Sequence, residues 1–151
     1  MNKENVEKAI AIMKRAGTVD MRWWQISSIR DGWGCTIFAT GEADMHKCGN
    51  SACFAGWVAV SPEFRADGGW ADAGSGAPTI RIGDEERENC SAIAAWLDID
   101  YCIARDIVYG DTEPGGEKGF TWSKFYNKPW KEVGAADVIA KLEAILSGEL
   151  Q

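Results

Sequence analysis

Apolar positions return at helical spacing at both ends of the chain. Val6, Ile10 and Met13 fall at i, i+4 and i+7 with Ala9 beside them, which predicts an amphipathic helix from about Lys3 to Ala16. Asn2 can cap its start and Gly17 can stop it. Near the other end Val138, Leu142 and Ile145 make one stripe, with Ile139 and Leu146 alongside, and predict a helix from about Ala135 to Leu146. The middle of the chain breaks this pattern. From Ala52 to Val60 every residue is apolar or small, so a helix there has no polar face and must be enclosed on all sides. Asn50 or Ser51 can cap it, Pro62 can end it, and Gly56 would let another element approach closely.

The connecting segments are mixed. Gln25–Arg30 and Cys35–Thr40 flank an Asp31-Gly32 turn signal and carry the β-branched and aromatic content of short strands, which predicts a small hairpin. Glu63 to Asn89 is polar and glycine-rich, interrupted by Trp70 and a short strand at Thr79–Ile82, and is expected to be a functional or mobile loop. Two helices are expected over about Glu85–Leu97 and Asp100–Tyr109, with Asp98 and Asp100 as capping residues between them. Ile93, Trp96 and Leu97 would face inward from the first, and Cys102, Ile103 and Ile107 from the second. Asp84, Glu85, Glu86 and Glu88 would be the solvated, acidic start of the first. A loop over Gly110–Gly119 leads to an aromatic cluster of Phe120, Trp122, Phe125, Tyr126 and Trp130. The expected class is α+β: a mostly helical single domain over residues 1–151, with a small β-hairpin or short sheet packed around a buried central helix.

Composition narrows the function classes. A chain of 151 residues, 46% apolar and 26% charged, is long enough to bury a core without metal or disulfide staples. With 16 Lys and Arg against 23 Asp and Glu, the formal charge of −7 disfavours ordinary nucleic-acid binding and suits a basic partner surface or simple dispersal in water. No stretch reads as a secretory leader or a membrane span, so a cytoplasmic protein is expected. The cysteines, Cys35, Cys48, Cys53, Cys90 and Cys102, are an odd number, which suits free, buried thiols better than a disulfide framework. Tryptophan is the compositional outlier, at eight residues, and some of them are expected on a surface.

The only histidine and two of the cysteines gather at the start of the central helix, and four accounts fit them. Cys53 could be a nucleophile at a helix N-terminus, with His46 as base and Asp44 orienting it. His46, Cys48 and Cys53 could ligate a metal, with Cys35 or Cys90 as the fourth donor, although the spacings depart from usual zinc pairs. Cys48 and Cys53 could form a local disulfide if Gly49 and Asn50 turn the chain back. In the fourth account Gly49 supplies a special backbone angle and both thiols pack into the core without chemistry. The glycine-rich loops match no phosphate-binding spacing.

The run Cys48-Gly49-x-x-x-Cys53-x-Ala55-Gly56-Trp57 resembles a group of uncharacterised phage and prophage proteins whose core reads roughly Cys-Gly-Thr-x-x-Cys-x-Ala-Gly-Trp. In that group an acidic, aromatic stretch similar to Asp20–Trp23 precedes the motif, a helix ending in Leu-Gly-Leu corresponds to Leu97-Asp98-Ile99, and a C-terminal helix resembles Val138–Leu146. This chain departs from it at Asn50, where Thr is usual, and at Asp98, where Gly is usual. The resemblance implies a bacteriophage setting and brings no activity with it. The expectation is therefore a non-enzymatic binding module without cofactor that engages, and in its most concrete form inhibits, a defence-related host protein. Arg22, Trp23, Trp24, Trp33 and Trp70 are the candidate anchors, with no direct nucleic-acid or membrane partner and the oligomeric state left open. A thiol enzyme and a nucleotide-like small-ligand protein are the alternatives, the latter because tryptophan faces also stack on nucleobases.

Overall fold

In the computed structural model, residues 1–47, 49–110 and 122–150 are described below. The order of elements is α1 (Lys3–Arg15), β1 (Gln25–Ile26), α2 (Glu42–Met45), β2 (Ser51–Ala52), α3 (Phe54–Val60), α4 (Pro62–Ala66), β3 (Gly69–Ala71), β4 (Pro78–Ile82), β5 (Glu85–Glu88), α5 (Asn89–Leu97), α6 (Tyr101–Tyr109), β6 (Trp122–Ser123), β7 (Lys128–Pro129) and α7 (Ala135–Ser147). A 3-10 turn at Trp130–Glu132 precedes α7. The class is α+β, with helices around small antiparallel sheets of two or three strands.

α3 is the hub. All its residues are buried, as an all-apolar helix requires, and it meets α1, α2, α4, α5 and α6 as well as β2, β3 and β4. α1 closes one side by packing its Val6, Ala9, Ile10 and Met13 stripe against α7, whose Val138, Leu142 and Ile145 face it across the core. The helix ends follow from sequence. The Asn2 side chain accepts from the Asn5 N–H at 3.2 Å, and the Asp100 carboxylate accepts from the Cys102 N–H at 2.7 Å. Asp137 in the first turn of α7 reaches back to accept from the Gly134 N–H at 2.9 Å. Arg15 ties α1 to two other helices, with Nε 2.7 Å from the Glu42 carboxylate and Nη2 2.5 Å from that of Glu63.

Several expectations are corrected. The Gln25–Arg30 and Cys35–Thr40 segments do not form a ladder. Only Arg30 and Thr36 bridge across the Asp31 turn, while Gln25–Ile26 pairs with Ser51–Ala52 instead. Ser51 is thus a strand residue and Asn50 is not a helix cap. α3 starts two residues later than expected, and Pro62 opens α4 rather than merely ending α3, because its fixed φ suits a first helical position after the Ser61 cap. Most of the expected loop from Glu63 to Asn89 is ordered as α4 and the β3-β4-β5 meander. Glu85–Glu88 is its outer strand, so the acidic helix start is overturned: the Gly83 turn, with φ of +61°, folds these residues back onto β4. Cys102 and Cys35 are exposed, against the expectation of buried thiols, while Cys53 and Cys90 are buried. Cys48, Phe120 and the Asp111–Gly119 part of the second loop lie outside the described residues.

Two positions that depart from the resembled motif have physical accounts. Position 98 is the left-handed residue that ends α5, with φ of 51°, the conformation for which glycine is ordinarily favoured. Aspartate tolerates it better than most residues, and its carboxylate lies 3.0 Å from the N-terminal ammonium. The Asn50 side chain is a clamp. Its carbonyl oxygen accepts from the Ser28 N–H at 2.6 Å and the Ser28 hydroxyl at 2.8 Å, and its amide donates to the Asp44 C=O at 2.7 Å. Gly49 beside it has φ of +86°, the special angle expected of it.

Candidate functional site

The chain from Thr18 to Ile26 folds as a U around Ser51–Cys53. On its way in, the Ala52 N–H donates to the Thr18 C=O at 3.3 Å, and the Asp20 N–H donates to the Ala52 C=O at 3.0 Å. On its way out, Gln25 and Ile26 pair with Ala52 and Ser51. The apex, Met21–Trp24, is thereby set over the start of α3, where the Trp23 C=O accepts from the Cys53 N–H at 2.9 Å. Gly56 permits the approach: a Cβ on it would lie 1.7 Å from the Trp24 carbonyl oxygen. Gln25 fixes the exit strand, accepting from the Ala39 N–H at 2.9 Å and donating to the Ala39 C=O at 3.0 Å and the Gly76 C=O at 3.3 Å.

This apex and the end of α6 enclose a hollow of about 250 Å³, with Met21, Arg22, Trp23 and Trp24 from the U, Val108 and Tyr109 from α6, and Cys53 between them. Trp24 meets Tyr109 edge-on at 5.7 Å, while Trp23 is 58% exposed and free to contact something else. The Arg22 guanidinium grips Asp20 with both Nε (2.9 Å) and Nη2 (2.6 Å). That grip holds the Asp20 carboxyl below its ordinary value and leaves little net charge at the rim. The hollow is therefore apolar, aromatic and close to neutral.

Its thiol is enclosed. Cys53 is 2% exposed and makes no capping hydrogen bond of its own. Burial pushes its pKa up to about 12, with the Gly56 and Ala55 amides offsetting this only in part. At neutral pH the thiol is therefore protonated. The proposed partners are engaged elsewhere. The His46 ring packs on Trp57 at 5.2 Å and its Nε2 lies 3.7 Å from Glu42, while the Asp44 carboxylate is 2.6 Å from Lys47 Nζ. Trp57 is itself fully buried and donates its indole N–H to the Thr18 C=O at 3.2 Å, so His46 serves as a lid on the hub. Among the described residues no three His, Cys, Asp or Glu side chains are grouped as a metal would require, and Cys48 lies outside them.

Of the five candidate anchors, the structure brings together Arg22, Trp23 and Trp24. Trp33 stands apart at the tip of the 31–34 turn, 93% exposed, on a backbone fixed by the Asp31 carboxylate, which accepts from the Trp33 N–H at 2.9 Å and the Cys35 N–H at 2.8 Å. Trp70 lies half-buried on β3 with the Arg81 guanidinium 5.9 Å from its ring. Tyr109 was not among the candidates. It fell on the last turn of a predicted helix, and only the long-range fold of the U shows that it faces Trp24. Gln25 and Asn50 were likewise missed as positioning residues, since a buried polar side chain carries no periodic signal.

Compared with known proteins, the chain matches no family model, no curated protein and no solved structure.

Proposed function

We propose that the protein is a non-enzymatic binding module that engages another protein through the Met21–Trp24 apex and the Trp33 turn. The observation that supports this reading best is the exposure of Trp23 and Trp33 on backbones held by hydrogen bonds, the first beside an apolar hollow. Large aromatic faces are unfavourable in water and are the side chains that most often dominate protein interfaces, all the more so where a fixed backbone removes the entropy of ordering them. In the bacteriophage setting that the Cys48–Trp57 motif suggests, the partner is a host protein of the cytoplasm, and inhibition of a defence protein is the concrete form of the proposal. Among the described residues, no helix is long and apolar enough to cross a membrane.

A photo-crosslinking amino acid placed at Trp23, at Trp33, or at the exposed Glu143 of α7 tests this in bacterial lysate. The expected result is one discrete adduct, the same from positions 23 and 33 and absent from 143. Adducts that are equal at all three positions, or missing from both tryptophan sites, refute it. An ultraviolet-absorbing small molecule that co-purifies with the protein and is lost on Trp23→Ala would move the reading to a small-ligand site.

A further inference from the structure

β5 is the outer strand of its sheet. It pairs with β4 from Ile82↔Glu85 to Thr79↔Glu88, and with no other strand among the described residues. In an antiparallel edge strand alternate residues turn their N–H and C=O groups away from the sheet, where a further strand can meet them. From Arg81 to Asn89 every residue is exposed, both faces of β5 included, so this end of the hairpin stands clear of the core. Ile82 at its end is 48% exposed.

Two hollows of about 440 and 430 Å³ adjoin the strand and share Arg87 and Ser91, so that together they form one trough from β5 along α5. Ser91, Ala94 and Ala95 lie on one face of α5 and leave room for incoming side chains, and Asp98 and Asp100 stand at the far end. The charges select the occupant. Arg81 and Arg87 are already paired with Glu86 and Glu85, each at 2.8 Å, and Asp98 is answered by the N-terminal ammonium at 3.0 Å, while Glu88 and Asp100 add carboxylates along the trough. A second copy of the chain, paired antiparallel about the middle of β5, would set Glu85 opposite Glu88 at both ends, which cross-strand repulsion opposes, and would offer only Glu86 opposite Arg87 in return, an arginine already held by Glu85. A basic segment would be drawn in and held in register.

We propose that β5 accepts an extended, basic segment of a partner protein as an added strand, with its alternate side chains running into the trough along α5. This surface is separate from the aromatic hollow and stands or falls apart from it. The test uses a capped peptide of about seven residues alternating Lys and Val, the same peptide with alternate backbone amides N-methylated, and a Glu/Val counterpart. The Lys/Val peptide is expected to give saturable amide shifts confined to Glu85–Glu88 and Ser91–Tyr101 and to slow hydrogen exchange in β5. The methylated and acidic peptides, and the Lys/Val peptide on Glu86→Lys/Glu88→Lys protein, are expected to bind about tenfold more weakly or not at all. Equal binding of the methylated peptide would show an acidic patch and no strand addition. That result, shifts elsewhere, no saturable shift at millimolar peptide, or self-association of the free protein through β5 each overturns the proposal. If the double variant fails to fold, the comparison of the three peptides on the unaltered protein decides alone.

Discussion

Replacing Gly56 by alanine sets two effects against each other, and the structure fixes which wins. In a helix interior alanine is favoured over glycine by about 1 kcal/mol, so propensity alone predicts a more stable protein. The added Cβ, however, would lie 1.7 Å from the Trp24 carbonyl oxygen and 2.8 Å from both the Trp24 carbonyl carbon and the Ala52 Cβ. Relief to an ordinary contact needs a movement of more than an ångström by backbone that is hydrogen-bonded at Trp23 and paired at Gln25. Overpacking of a closed core costs about 1–3 kcal/mol, and loss of the Cys53 N–H to Trp23 C=O bond adds about 1 kcal/mol. After the propensity gain, a net loss of about 1–3 kcal/mol is expected, a fall in Tm of roughly 2–12 °C for a chain of this size. Chemical denaturation followed by circular dichroism and tryptophan fluorescence measures it, with Gly32→Ala, where a Cβ meets nothing within 4 Å, as the control. A Gly56→Ala protein within about 0.5 kcal/mol of wild type would refute the claim that close approach of the Trp24 backbone is what this glycine is for.

Iodoacetamide at neutral pH is expected to label the exposed Cys35 and Cys102 in the native protein and Cys53 and Cys90 only after denaturation. Labelling of Cys53 as fast as Cys35, mapped by mass spectrometry, would restore the thiol-enzyme reading. Stability is expected to decline above about pH 9. Burial raises Cys53 from 9.0 to about 12, Cys90 from 9.0 to about 11 and Tyr109 from 10.0 to about 12. The folded state therefore holds these protons more tightly, and its advantage is complete below the unfolded values and lost as pH rises through the folded ones. At the acid end the sign reverses. Glu42, held low by its hydrogen bonds to Arg15, contributes stability above its unfolded value of 4.5 that is lost as pH falls, and a Glu42→Gln protein should show a shallower acid limb in a urea titration against pH. Asn50→Ala removes the acceptor of both the Ser28 N–H and hydroxyl and is expected to cost about 1–3 kcal/mol, with faster hydrogen exchange at the Ser28 amide; unchanged exchange would show that the clamp is dispensable.

The helices with one apolar stripe were legible in the sequence because burial on one side leaves a 3.6-residue period, as in α1 and α7; the span of α6 and its Asp100 cap were legible too, but its inward face was not, since Ala104, Ile107 and Val108 are buried where Cys102, Ile103 and Ile107 were expected. The burial of α3 was legible for the opposite reason, the lack of any polar face. Its start was not, because Asn50 and Ser51 look like caps and are claimed by partners far along the chain, Ser28 and Ile26. Glu85–Glu88 was misassigned by the same kind of override. Its Glu and Arg residues favour helix locally, yet the Gly83 turn and pairing with β4 make it a strand. The Gly83-Asp84 pair was the available signal, a turn directly after the expected strand at Thr79–Ile82. The aromatic site was half legible. Tryptophan content pointed to Arg22, Trp23 and Trp24, but nothing local could show that they meet Cys53 and Tyr109, since that depends on residue 52 pairing with both arms of the U.

That geometry separates the neighbouring tryptophans. Trp23 contributes to the fold through its carbonyl, which accepts from the Cys53 N–H and survives any side-chain change, while its ring is 58% exposed. Trp24 contributes through its ring as well, which is partly buried and meets Tyr109. Trp23→Ala should therefore leave stability within about 0.5 kcal/mol of wild type, whereas Trp24→Ala should cost about 1–3 kcal/mol. If the apex is a binding surface, Trp23→Ala should also abolish the adduct formed by a crosslinker at Trp33, despite its intact fold. A Trp23→Ala protein that unfolds as readily as Trp24→Ala would mean that the Trp23 ring belongs to the core, and one that is stable but still forms the adduct would remove Trp23 from the binding surface. Gly56 admits the Trp24 carbonyl and the Cys53 N–H holds that of Trp23, so the Cys53–Gly56 part of the motif positions the backbone of the Met21–Trp24 apex.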